Sequence, residues 1–175
     1  MKTNFILACS LKNYNRYIGR AVAQKADFSF VCLDELIFND FQNEIKNNLK
    51  FTPKQIANVE KARIKEMMSF ENTIVSLHSD LVFGKDIKAI KEKYVVVFLK
   101  LNLESYSTRA LFCNEKVDGK LDELVLNEIN DVYSKSADIV FDASGMKDKK
   151  VIAKLSRAIK VARKKLIKLQ KFEVK

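Results

Sequence analysis

Apolar residues fall along this chain in two alternating textures. Short unbroken runs occur at Asn4–Cys9, Phe28–Cys32, Thr73–Leu77, Tyr94–Leu99 and Ile139–Phe141. Between them lie longer stretches in which apolar positions recur every three or four residues. An unbroken run of four to seven has the length of a strand covered on both faces, and the wider spacing is that of a helix with one buried stripe. The spacing predicts helices over Asn15–Lys25 (Ile18, Ala21, Val22), Asp34–Leu49 (Leu36, Ile37, Phe41, Ile45, Leu49) and from Pro53 to about Met68. Thr52 followed by Pro53 and Gln55 is a helix-start signature, with a hydroxyl cap, a proline in the first turn and an amide three residues on. Further helices are predicted over Lys85–Lys93, Leu101–Phe112, Leu121–Tyr133 and Lys147–Gln170. The last of these has an inner stripe of Val151, Leu155, Ile159, Ala162, Leu166 and Leu169. Strands alternating with helices five times predict a three-layer αβα domain around a five-stranded parallel sheet, spanning residues 1–175 as one unit.

Composition removes several chemistries. His78 is the single histidine, which excludes any two-histidine metal site. The glycines, Gly19, Gly84, Gly119 and Gly145, lie far apart, so no glycine-rich phosphate loop exists in its usual form. Cys9, Cys32 and Cys113 have neither the spacing of a zinc site nor the even count of a disulfide framework, and buried reduced thiols are expected. The apolar run Phe5–Cys9 is too short for a signal-peptide core or a membrane span, so a cytoplasmic protein without a transmembrane segment is expected.

Charge is distributed unevenly. The net charge of +10 arises wholly after residue 146: residues 147–175 carry 12 Lys or Arg against Asp148 and Glu173, whereas residues 1–146 balance at 20 of each sign. Lys150, Lys154, Arg157, Lys164 and Lys168 recur at helical intervals beside the apolar stripe. Such a basic helix attracts nucleic acid, anionic lipid or an acidic partner, or else is a packed helix with solvated lysines outside. No aromatic residue interleaves with these lysines before Phe172, which weighs against base stacking.

Several segments carry a family likeness. Ile18-Gly19-Arg20-Ala21-Val22-Ala23-Gln24, Phe30-Val31-Cys32-Leu33-Asp34-Glu35-Leu36-Ile37, Tyr94–Leu99 with Leu103-Glu104 and Arg109, and Asn127–Tyr133 followed by Ala137-Asp138-Ile139-Val140 succeed one another along the chain. Together they resemble the shikimate kinase family, and the likeness implies a P-loop, nucleoside-monophosphate-kinase-like fold. In that family a loop of pattern G-x-x-x-x-G-K-[ST] wraps the phosphates of ATP. The matching stretch here is Cys9-Ser10-Leu11-Lys12-Asn13-Tyr14-Asn15-Arg16. Cys9 and Tyr14 stand at the glycines, Asn15 at the lysine and Arg16 at the hydroxyl residue.

A side chain at a glycine-only backbone angle costs roughly 1–2 kcal/mol. The missing lysine and hydroxyl remove the cation and the magnesium ligand that phosphoryl transfer uses. Of the substrate positions the resemblance implies, Asp34 is retained, while Cys32, Ala57 and Ile129 replace other members of the set. The lid shrinks to about Asn114–Lys120, and the glycine triplet after the third strand falls near Ser79-Asp80-Leu81.

The expectation is therefore a shikimate-kinase-like scaffold that has lost ordinary phosphoryl transfer, with no cofactor and with a ligand or partner in its place. The alternative is a working kinase of shikimate or another small polyol, with ATP and magnesium held by a phosphate site rebuilt from Lys12, Asn13, Asn15 and Arg16. Asp34 either holds a polyol hydroxyl or caps the helix that follows. His78 beside Asp80 is a minor general-base candidate.

Overall fold

The computed structural model describes residues 4–47, 49–78, 87–115 and 123–173, and the side chains of all of these except 43, 44, 78 and 168–173. Its strands are β1 (Asn4–Cys9), β2 (Ser29–Cys32), β3 (Thr73–His78), β4 (Tyr94–Lys100) and β5 (Ile139–Asp142). They form one parallel sheet in the order β2-β3-β1-β4-β5. The helices are α1 (Lys12–Ala26), α2 (Leu33–Asp40), α3 (Gln42–Lys46), α4 (Pro53–Met67), α5 (Ile87–Lys93), α6 (Leu103–Phe112), α7 (Glu123–Ser136) and α8 (Asp148–Glu173).

Each residue of β1 is buried, because the strand lies between β3 and β4 with helices on both faces. Its side chains alternate between the two cores. Phe5, Leu7 and Cys9 join Tyr14, Ile18 and Val22 of α1 and Val151, Leu155 and Ile159 of α8. Ile6 and Ala8 join Leu33 of α2, Met67 of α4 and Ile90 of α5, with Tyr133 of α7 packed alongside. Residues Val151, Leu155, Ile159, Ala162 and Leu166 form the inner stripe of α8 as the spacing predicts, and the side chain of Leu169 lies outside the described residues. At Gly19, α1 runs so close to β2 that a Cβ would meet Phe30 Cε2 at 2.7 Å.

Local chemistry sets several element ends. Thr52 and Gln55 form the reciprocal capping box at the head of α4. The Asn102 side chain accepts from Ser105 N at the head of α6. Two expectations are corrected. The segment Asp34–Leu49 is not one helix: it divides at Phe41, whose ring meets Phe51 edge-on at 4.5 Å. The first helix begins at Lys12, not Asn15. Among the described residues no helix is long and apolar enough to cross a membrane.

Chain order along the sheet changes direction at β1, since the chain leaves it toward β2 on one side and reaches β4 and β5 on the other. In open parallel sheets, ligands bind beyond the carboxyl ends of the strands at such a switch point. Here that place is the turn from Cys9 into α1.

Candidate functional site

Only Ser10 and Leu11 separate β1 from α1. The stretch expected to form a degenerate phosphate loop is therefore a two-residue turn followed by regular helix, and Lys12, Asn13, Asn15 and Arg16 all lie on α1. Leu11 occupies the cap position at φ −109° and ψ 112° and has no side chain able to accept a hydrogen bond. The first N–H groups of a helix need acceptors, and the helix dipole makes that acceptor best as an anion.

The anion comes from Glu115. Lys12 N donates to Glu115 Oε1 at 2.6 Å and Asn13 N to Glu115 Oε2 at 3.0 Å. How Glu115 arrives there is set by the end of α6. Asn114 adopts a left-handed φ of 49°, which asparagine tolerates better than most residues. Asn114 N then donates to Leu111 O at 3.1 Å, and Glu115 N to Ala110 O at 2.9 Å. These are the paired bonds of a Schellman ending, which reverses the chain and points residue 115 back across the sheet. Asn13 Nδ2 donates to Cys113 O at 3.3 Å and fastens the same corner.

Behind this contact the side chains of α1 are occupied. Asn15 is buried, and its Nδ2 donates to Leu7 O at 2.8 Å and Leu77 O at 3.1 Å, tying α1 to β1 and β3. Asn15 Oδ1 is buried without a partner. Arg16 Nη1 pairs with Glu35 Oε1 at 2.6 Å, with both side chains about 42% exposed. Tyr14 is fully buried between Arg109 and Asp148. Its hydroxyl donates to Asp148 Oδ1 at 3.0 Å, and burial pushes the phenol far above its usual range.

The Arg109 guanidinium stacks on the Tyr14 ring at 4.8 Å. Its Nη2 donates to Ala143 O at 3.1 Å and Met146 O at 2.7 Å, and its Nε lies 3.5 Å from Asp148 Oδ1. Tyr14, Arg109 and Asp148 thus lock α1, α6 and α8 together where the second glycine of the pattern would stand. Burial raises the Cys9 thiol to about 12, and the Glu115 carboxylate adds to that rise, so Cys9 is an inert core thiol at neutral pH. Cys32 and Cys113 are also free and shifted upward by burial; Cys32 is buried as expected, whereas Cys113 is half-buried.

The remaining predicted positions scatter. Asp34 is half-buried in the first turn of α2; Cys32 is the cap residue and the helix starts at Leu33, so Asp34 does not cap it. An open cleft of about 570 Å³ runs along α1, lined by Asn13, Arg16, Arg20, Gln24, Glu35 and Phe112 among others. His78 ends β3 opposite Cys9, and its side chain lies outside the described residues. So do residues 79–81 and 116–120, which the resemblance matches to the glycine triplet and most of the lid. Among the described residues, no cluster of His, Cys, Asp or Glu could hold a metal ion. Lys150, Lys154, Arg157 and Lys164 lie exposed along α8, and the side chain of Lys168 is not among those described.

The residues missed by sequence reasoning are Glu115, Tyr14 with Asp148, and Arg109 as their binder. An asparagine at the end of a helical stretch, followed at once by an acid, was the available signal for Glu115.

A strand order of 2-3-1-4-5 with a helix springing from the end of β1 defines the class as an αβα protein of the P-loop kinase fold. The shikimate kinase family model matches residues 16–160, and the chain belongs to that family. The match begins at Arg16, after β1 and the turn to α1. In structure the chain is similar to shikimate kinase from Acinetobacter baumannii in complex with shikimate, with TM-score 0.66, 15% identity, and 89% of this chain and 92% of that one covered. It is similar as well to shikimate kinase from Bacteroides thetaiotaomicron, with TM-score 0.67, 17% identity, and coverage of 89% and 97%. A gluconokinase from Sinorhizobium meliloti 1021 superposes with TM-score 0.55 at 14% identity, covering 98% of each chain. No curated protein sequence matches the chain.

Proposed function

We propose that this chain is a non-catalytic member of the shikimate kinase family, a kinase-like scaffold whose phosphate-binding corner is filled by its own Glu115. The observation that carries the reading is the Glu115 carboxylate lying across Lys12 N and Asn13 N at the head of α1. In a phosphate loop, consecutive N–H groups wrap an anion, glycines allow the backbone to approach it, and a lysine follows the transferring group. Here the turn is two residues long, the first N–H groups are bonded to an internal carboxylate, and the residue in the lysine position is a buried amide bridging two strand carbonyls. Arg16, in the hydroxyl position, is paired with Glu35. These residues do not fit a nucleoside triphosphate with magnesium. A phosphate site rebuilt from the side chains of Lys12 and Arg16 would have to break the Arg16–Glu35 pair and displace Glu115 from the head of α1.

The test is a coupled assay with ATP, magnesium and shikimate, run beside a thermal-shift titration with ADP. The reading predicts no turnover above background. It predicts no shift at millimolar nucleotide either, whereas a ligand at a hundredfold excess over its Kd adds about 2.7 kcal/mol of stability. For a chain of this size that is a rise of roughly 5–10 °C. Turnover near the kinase range of roughly 1–100 s⁻¹ would end the proposal.

A further inference from the structure

Of the three helices that pack on the α1/α8 side of the sheet, α6 carries Glu104, and the other two share an unusual feature. Neither α1 from Lys12 to Ala26 nor α8 from Lys149 to Phe172 contains one acidic residue. Between α1 and α8 runs a groove of about 450 Å³ lined by Lys25, Arg157, Lys160 and Lys164, with Ala153 and Val161 between them and no carboxylate in its wall. All four cations are exposed. Lys150 and Lys154 continue the row toward the start of α8, so Lys150 to Lys164 extends about 21 Å at 1.5 Å per residue. The opposite side of the sheet is mixed in charge, with Asp34, Glu35 and Asp40 on α2, Glu60 and Glu66 on α4, and Glu123, Glu128 and Asp131 on α7.

We infer that the α1/α8 face binds the phosphate backbone of a nucleic-acid duplex without reading its sequence. Three observations select this occupant. First, the apolar stripe of α8, Val151, Leu155 and Ile159, is fully buried against the sheet, so no greasy face is free to enter a lipid surface. Second, the groove offers lysine and arginine around only two small apolar side chains. Protein–protein interface cores are depleted in lysine and anchored by aromatics, whereas nucleic-acid interfaces are rich in positive charge. Third, Arg163, the cation on α8 that meets a ring, is turned inward onto Phe28 at 4.8 Å, and the described groove wall has no aromatic side chain for stacking unpaired bases. A row of exposed cations along one helix matches phosphates spaced a few Å apart along a duplex.

The inference stands apart from the loss of kinase activity, because the groove and the Glu115 corner share no residue and are read by different assays. The test is fluorescence anisotropy of the full chain with a labelled 20-base-pair duplex of mixed sequence, titrated between 50 and 200 mM KCl. Four phosphate contacts predict a salt slope near −3.6, so affinity falls about a hundredfold over that range. Lys160→Glu with Lys164→Glu, both exposed and away from the core, should weaken binding by at least tenfold with an unchanged melting temperature. The same reversal at Lys61 and Lys65, exposed on α4 across the sheet, should change it less than threefold. Equal loss in both pairs, no loss in the first, or a flat salt response would overturn the inference. So would tighter binding, under the same conditions, to poly-glutamate or to phosphatidylserine vesicles than to the duplex.

Discussion

Replacing Glu115 by alanine strips the head of α1 of its acceptor. Two charge-assisted bonds are lost, at 2.6 and 3.0 Å. Hydrogen bonds to a charged group contribute about 1.5–3 kcal/mol each when removal leaves a buried donor unpaired. Lys12 N is exposed and Asn13 N only partly buried, so water replaces much of what is removed. The loss of a helix cap, about 0.5–2 kcal/mol, is the better guide, with the dipole interaction contained in it. The expected cost of Glu115→Ala is therefore about 1–2 kcal/mol, a fall in melting temperature of roughly 2–8 °C for a chain of this length. Glu115→Gln keeps one acceptor without the charge and should fall between. Urea unfolding of the three proteins measures this directly. A second readout separates the anion from mere packing: 20 mM phosphate should raise the melting temperature of the alanine variant more than that of the parent, because free N–H groups at a helix head accept an external anion. An alanine variant within 0.3 kcal/mol of the parent, with the same response to phosphate, would refute the reasoning.

Other consequences follow from named contacts. Arg109 is buried, stacks on Tyr14, and donates to the carbonyls of Ala143 and Met146 beside Asp148; Arg109→Leu should cost about 2–3 kcal/mol in urea unfolding, since it leaves the Met146 carbonyl without its donor and removes the cation beside Asp148, which keeps only the Tyr14 hydroxyl. Arg63 holds the Asp40 carboxyl below its usual range through direct hydrogen bonds joining α4 to α2. A depressed carboxylate stabilises above its unfolded value and loses that contribution as pH falls through the folded one. The difference in unfolding free energy between parent and Asp40→Asn should thus be present at pH 7, amount to no more than about 1 kcal/mol, and vanish in acid below the ordinary carboxylate range. Cys9, raised to about 12 and fully buried, should resist alkylation at pH 8 until the chain is unfolded, as read by mass spectrometry of the modified peptides.

How much of this the sequence revealed depends on whether a signal is local. The central strands β1, β3 and β4 were legible because they are covered on both faces and read as unbroken apolar runs, Tyr94–Leu99 most clearly, whereas the edge strands β2 and β5, partly exposed, were legible as short apolar runs between helical stretches. The start of α4 was legible because Thr52, Pro53 and Gln55 carry the cap among themselves. The break at Phe41 was not, because apolar spacing runs straight through it and the aromatic partner, Phe51, lies ten residues on. The head of α1 was placed three residues late for a related reason. No residue near Lys12 can cap it, and the acceptor lies a hundred positions away on a turn after α6. Comparison with the family pattern located the corner where phosphate chemistry would occur and counted the substitutions there. It could not show that Tyr14 and Asn15 had become core residues, nor that Glu115 had moved in.

The central claim is that a carboxylate of the chain itself sits where the phosphate of a nucleotide would. A crystal structure determined from protein grown with millimolar ADP and magnesium tests it most directly. Density is expected for the Glu115 side chain against the first two N–H groups of α1, with no nucleotide beside them. Diphosphate density on those N–H groups, with Glu115 swung away, would contradict it.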